Sequence, residues 1–210
     1  MEKFRKSKRI IIIFLVLILT SVSLYNIFKQ DILVYNNIAS FSDLNNPPSD
    51  KFAELKSTKT HTLKYLVIHC TASKEGVDLK GKWFMNFFKK EKGWDRPGYN
   101  EIIELDGHRF IAVPYNLDDK VSRNEITYGV ANYNSVTLNI AYVGGVDKKL
   151  KPKDTRTKAQ KETIDKIIKE FQKNIPDIIV MGHRDFFPKY ARLKECPSYD
   201  VKKELKNLQD

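Results

Sequence analysis

The first apolar feature of the chain is an unbroken run from Ile10 to Leu19, continued by a weaker uncharged stretch to Phe28 and preceded by Lys3, Arg5, Lys6, Lys8 and Arg9. As an α-helix, residues 10–28 would be roughly 28 Å long, close to the hydrocarbon thickness of a bilayer. The basic flank favours the cytoplasmic side, so the pattern predicts a cytoplasmic segment at 1–9 and a single transmembrane signal anchor at 10–28, with all that follows beyond the membrane. Ser21 and Ser23 offer a small-residue pair but no clean Ala-x-Ala site, so an uncleaved anchor is expected. Residues 29–60 turn to Asn, Ser, Asp and Pro, with Asn45-Asn46-Pro47-Pro48 as a helix breaker, and predict a linker.

From residue 61 the pattern becomes that of a folded domain, expected to run to 206. Leu63 to Cys70 is largely apolar and polar-bounded, as a strand buried on both faces should be. Trp83, Phe84, Phe87 and Phe88 recur at helical spacing and predict the core face of an amphipathic helix. Tyr99 to Leu105 and His108 to Val113, joined by Asp106-Gly107, predict a β-hairpin with a tight turn that leaves His108 exposed. Val136 to Val143, ending in Gly144-Gly145, reads as another strand. Ile164, Ile167, Ile168 and Phe171 form an i, i+3, i+4, i+7 stripe that Pro176 closes, predicting a surface helix over a sheet. Ile178 to Met181 reads as a last short strand. Strands and helices alternate, so the expected class is α/β, a mixed central β-sheet flanked by helices.

At 210 residues there is room for one catalytic unit with a substantial core, plus an anchor. The formal charge of +11 favours a polyanion, whether nucleic acid, membrane surface or wall polymer. No basic stripe with interleaved aromatics and no nucleic-acid motif is present, so no nucleic-acid partner is expected. Cys70 and Cys196 would be candidates for a disulfide in an exported domain.

Candidate chemistry sits at strand ends. His69 and His183 each follow an apolar strand, and Cys196 lies in the polar segment Lys194-Glu195-Cys196-Pro197. Two imidazoles and a thiolate make a plausible zinc set, because three protein ligands leave a fourth position open for water. The spacing itself carries no short-range signature, and each His taken singly reads more readily as a satisfied polar residue. Adjacent strand residues face opposite ways, so if His69 faces a metal, Cys70 faces the core.

The local contexts go further. Leu66-Val67-Ile68-His69-Cys70-Thr71-Ala72-Ser73, Gly93-Trp94, Gly98-Tyr99, the strand Asn134 to Asp147, Gly182-His183-Arg184-Asp185 and Lys194 to Asp200 occur in one order. Together they resemble the zinc amidases of the phage T7 lysozyme and peptidoglycan recognition protein superfamily, over about Thr60 to Lys206. In that family the third segment reads Gly-Tyr-His, the strand reads Asn-x-x-Ser-Ile-Gly-Ile followed by Val-Gly-Gly, and the closing segments read Gly-His-Arg-Asp and Lys-x-Cys-Pro-x-Phe-Asp.

The resemblance implies the T7 lysozyme/PGRP-like fold, with His69, His183 and Cys196 binding Zn2+ and Tyr99 and Lys194 as the catalytic pair. It implies a monomeric N-acetylmuramoyl-L-alanine amidase acting on peptidoglycan or muropeptides. With the predicted anchor, this places a single-pass protein in the cell membrane with its catalytic domain periplasmic or extracellular. A disulfide between Cys70 and Cys196 would consume the ligand and is not expected. Arg184 and Asp185 read equally as groups orienting the ligands or as surface charges. The chain departs from the family at Asn100, which replaces the His after Gly-Tyr, and at Gly129-Val130-Ala131, where a further His is common. Both departures are expected on the substrate side of the site. The rival reading is a non-catalytic peptidoglycan-binding or sensing module on the same fold, and a third keeps the chemistry but takes soluble muropeptides.

Overall fold

The computed structural model describes residues 59–187 and 195–207. The predicted cytoplasmic segment, anchor and linker up to residue 58, and Lys194, lie outside the described residues. Among the described residues no helix is long and apolar enough to cross a membrane.

Chain order is β1 (His61–Thr62), β2 (Tyr65–Cys70), β3 (Ser73–Lys74), α1 (Gly81–Lys90), β4 (Glu101–Ile103), β5 (Arg109–Ile111), β6 (Lys120–Val121), β7 (Thr137–Tyr142), β8 (Gly145–Val146), α2 (Lys158–Asn174), β9 (Ile179–Gly182) and α3 (Val201–Asn207). Short 3-10 turns at Asn134–Val136 and His183–Phe186 lead into β7 and out of β9. The main sheet has the order β5-β4-β7-β2-β9. Its β4-β7, β7-β2 and β2-β9 pairings are parallel, and β5 adds antiparallel to β4. Two small ladders, β1 with β6 and β3 with β8, flank it. This is the mixed sheet expected from the alternating pattern.

Strand β2 is central because its side chains can be buried on both faces. Leu66, Val67 and Ile68 are each fully buried, and each such side chain is worth about 1.5–3 kcal/mol relative to exposure. Leu66, Ile68 and Cys70 point toward α2 and share one core with Leu138, Ile140, Tyr142, Ile164, Ile167, Ile168 and Phe171. The predicted apolar stripe is therefore the face that α2 buries. Thr157 and Gln160 form a capping box at its start, and the Gln160 amide also donates to the Ile103 and Val143 carbonyls at 3.0 Å each, bolting the helix to β4 and to the end of β7.

Helix α1 buries Phe84, Phe87 and Phe88 and leaves Trp83 half-buried. At its start the Gly81 amide donates to the Glu104 carboxylate at 2.9 Å, so an acid from the β4–β5 turn serves an end that lacks a side-chain cap. A Cβ at Gly81 would stand 2.1 Å from the Phe110 ring, which fixes glycine there. The hairpin forms as predicted, with a wider turn than a two-residue one. Gly107 alone takes positive φ (84°); its amide donates to the Glu104 carbonyl and the Glu104 amide to the His108 carbonyl. Asp106 stays in an ordinary conformation and accepts from the His108 amide instead.

Candidate metal centre

The sheet places the other face of β2 and β7 against a polar cluster. His69 is the residue of β2 that this face presents at the strand's carboxyl end, opposite Ala141. One strand over, β9 ends at Gly182, and the 3-10 turn that follows carries His183; the Asp185 carboxylate accepts from the Gly182 amide at 2.9 Å and ties that turn. Cys196 comes from the segment before α3. Its position is braced from three sides: its carbonyl accepts from the Arg184 amide at 2.8 Å, Arg184 pairs with Glu195 at 3.0 Å, and the Tyr142 hydroxyl donates to the Pro197 carbonyl at 2.6 Å. Arg184 and Asp185 thus both brace the turns that carry His183 and Cys196.

His69, His183 and Cys196, 127 residues apart at the extremes, come together with one potential ligand atom each, all within 4.8 Å of one another. All three are buried. A tetrahedral zinc with Zn–N near 2.0–2.1 Å and Zn–S near 2.3 Å separates neighbouring N and S donors by about 3.6 Å. His69 Nδ1 stands 3.7 Å from Cys196 Sγ. Two imidazoles and one thiolate, preassembled at that spacing, fit an ion of zinc type. The Cys196 sulfur also receives the Cys70 backbone N–H at 3.2 Å. Cys70 itself turns into the core toward Ser198, and no disulfide joins the two cysteines.

Tyr99 lies beside this trio, its ring 5.2 Å from that of His69 and edge-on to Phe88 of α1. Its hydroxyl is 3.5 Å from the Cys70 carbonyl, a weak contact. Burial first, then the negative charge of Cys196 and Cys70, pushes the phenol well above its ordinary range, so it is held as a donor. Lys194, the other half of the expected pair, lies outside the described residues.

Asn100 and Gly129 correct the expectation of substrate-side departures. Asn100 is fully buried and bonds Glu125, Thr127 and the Asn139 backbone rather than facing outward. A Cβ at Gly129 would meet the Asn139 side chain at 2.3 Å. Both positions therefore lie behind His69, because Asn139, standing where the family's strand motif has glycine, fills that space and holds His69 Nε2 at 2.9 Å. Asn139 and Thr127 are not among the site residues expected from the sequence; the available signal is the pair Thr137 and Asn139, which breaks an otherwise apolar buried strand on one face.

The mixed sheet brings a buried His-His-Cys group, which could hold a metal ion, to the carboxyl ends of parallel strands, where strands end and loops begin. The sequence profile of the N-acetylmuramoyl-L-alanine amidase family matches residues 59–199, and the chain belongs to that family. Its activity is accordingly that of an N-acetylmuramoyl-L-alanine amidase. The endolysin of Enterobacteria phage K11 is 28% identical over 154 residues, 73% of this chain and 93% of the phage protein. The endolysin of Escherichia phage T7 is 26% identical over 140 residues, 66% and 82% of the two chains. In fold, the chain resembles the Ph2119 endolysin from Thermus scotoductus MAT2119 bacteriophage Ph2119, with a TM-score of 0.56 at 20% identity over 77% of this chain and 96% of that one.

Proposed function

We propose that this chain is a zinc-dependent, membrane-anchored amidase that hydrolyses the amide between N-acetylmuramic acid and L-alanine in peptidoglycan outside the cytoplasm. The observation that carries the reading is the convergence of His69, His183 and Cys196, with ligand atoms within 4.8 Å, inside the segment that matches the amidase profile. When bound there, zinc supplies a nucleophile at neutral pH and polarises the scissile carbonyl. The chain's own groups then do the rest. His69 and His183 hold their rings at strand ends, so the donors need little reorganisation. The Tyr99 hydroxyl, kept protonated by burial and weakly engaged at Cys70, is free to turn its O–H toward the oxygen that gains charge as the amide carbon becomes tetrahedral. Lys194, two residues before Cys196, supplies the cation for the same oxygen. The outward placement rests on the basic flank and apolar run at residues 3–28.

The test uses the purified full chain, metal analysis and intact sacculi. About one zinc per chain with stem peptides released bearing a new N-terminal L-alanine is expected. Zinc without release would replace hydrolysis by wall binding, and no zinc would remove the ligand assignment.

A further inference from the structure

His69 has two ring nitrogens, and something must decide which one carries the proton and which one faces a ligand. Nδ1 points at Cys196 Sγ (3.7 Å) and Nε2 at Asn139 Oδ1 (2.9 Å). The direction of the second bond follows from a chain of hydrogen bonds that begins at backbone groups, whose donor and acceptor roles are fixed.

The Asn100 amide nitrogen donates to the Glu125 carbonyl at 2.7 Å, and its Oδ1 accepts from the Asn139 backbone N–H at 2.9 Å. A carbonyl accepts only and a backbone N–H donates only, so Asn100 cannot be turned over. Its Oδ1 then also takes the Thr127 hydroxyl proton at 3.1 Å. With that proton committed, Thr127 Oγ1 presents a lone pair to Asn139 Nδ2 at 3.0 Å, and Thr137 Oγ1, whose own proton lies toward the Asn134 carbonyl, presents another at 3.3 Å. Asn139 Nδ2 is thereby the donor end and Oδ1 the acceptor end. An acceptor facing Nε2 requires the proton on Nε2. Asn100, Thr127, Thr137 and Asn139 are all essentially shut off from solvent, so water cannot take over these roles.

We infer that Asn139 is a positioning residue for the metal centre: aimed by Thr127 and Asn100, it fixes His69 as the Nε2–H tautomer and turns the Nδ1 lone pair toward Cys196 and His183. The inference rests on the zinc reading above and names what makes His69 a ligand through that nitrogen. Gly129 belongs to the same device, because only glycine leaves room for the Asn139 amide.

The experiment labels the full chain with 15N at its four histidines, His61, His69, His108 and His183, and reads each imidazole with and without zinc. His69 should show its proton on Nε2 in both states, and zinc should shift Nδ1. A proton on Nδ1, or zinc arriving at Nε2, would overturn the inference. Zinc affinity by chelator competition supplies the second arm. Asn139→Leu, close in shape but unable to accept, should weaken zinc about 10–100-fold, while Asn139→Asp, which still accepts from the ring N–H but faces Thr127 and Thr137 without a donor, should lose less zinc affinity than Asn139→Leu. A packing role predicts the reverse order, since a buried carboxylate disturbs packing more than leucine does; that order would also overturn the inference. Should the parent bind no zinc, the zinc reading itself falls, and the metal-free tautomer still decides whether Asn139 sets the ring.

Discussion

Arg156 offers the sharpest test of how the last helix, α3, is tied to the loop at Asp154. Its side chain is 1% exposed, lies over the Tyr199 ring at 3.3 Å, and pairs with Asp154 at 2.9 Å and with Glu204 of α3 at 2.6 Å. Replacing it by methionine keeps much of the volume and removes the charge. Stripping one partner from a fully buried ion pair costs about 3–5 kcal/mol, because the remaining charge is stranded. Here the stranded carboxylates, 30% and 32% exposed, can regain water, so about 2–3 kcal/mol is expected. For a folded unit of this size that lowers Tm by roughly 4 to 12 °C. Thermal and urea unfolding of the full chain, followed by circular dichroism, measure it.

Arg156→Lys should recover less than half of the loss, since an ammonium cannot grip two carboxylates through a planar fork. Zinc affinity should fall much less than stability, because Arg184 and Tyr142 hold the Cys196 turn independently. A Tm loss below about 2 °C, or full rescue by lysine, would refute the account of Arg156 as the bolt between the Asp154 loop and α3. Acid should mimic the substitution in part. Burial pushes the Asp154 carboxyl up, but the Arg156 hydrogen bonds and charge more than offset this and hold it below its ordinary value. A lowered folded pKa gives stability that is present above the unfolded value near 4 and lost as pH falls through the folded one. The parent should therefore lose stability below about pH 4 more steeply than Arg156→Met.

Three further outcomes are expected. Cys196→Ser should cut zinc content and abolish stem-peptide release while leaving the fold, which metal analysis, release from sacculi and circular dichroism check; persistent release would remove Cys196 from the machinery. Tyr99→Phe should retain zinc and lower kcat by about 10²–10³-fold, the cost of losing one oxyanion donor, with little change in KM. Gly129→Ala forces the Asn139 amide aside and should cost about 1–3 kcal/mol by overpacking, readable in urea unfolding, with a parallel loss of zinc affinity.

Much of the fold was legible because it rests on local periodicity. The stripe of Ile164, Ile167, Ile168 and Phe171 is the buried face of α2, and the apolar runs around Leu66 to Ile68 and Leu138 to Ile140 are adjacent central strands. A helical or strand period is written in consecutive residues, so a single chain reveals it. His69, His183 and Cys196 were nameable from their local contexts. Their meeting within 4.8 Å was not readable from spacing, because it depends on β2 and β9 lying parallel and in register. The placement of Asn100 and Gly129 was the clearest failure of sequence reasoning. A buried amide's role is set by which backbone groups surround it, and those come from Glu125 and β7, distant in sequence. Local pattern is enough to tell which faces are apolar and which residue types could ligate a metal; which nitrogen of His69 faces the ligands emerges only on folding, because hydrogen-bond direction is inherited from neighbours that the fold alone brings together.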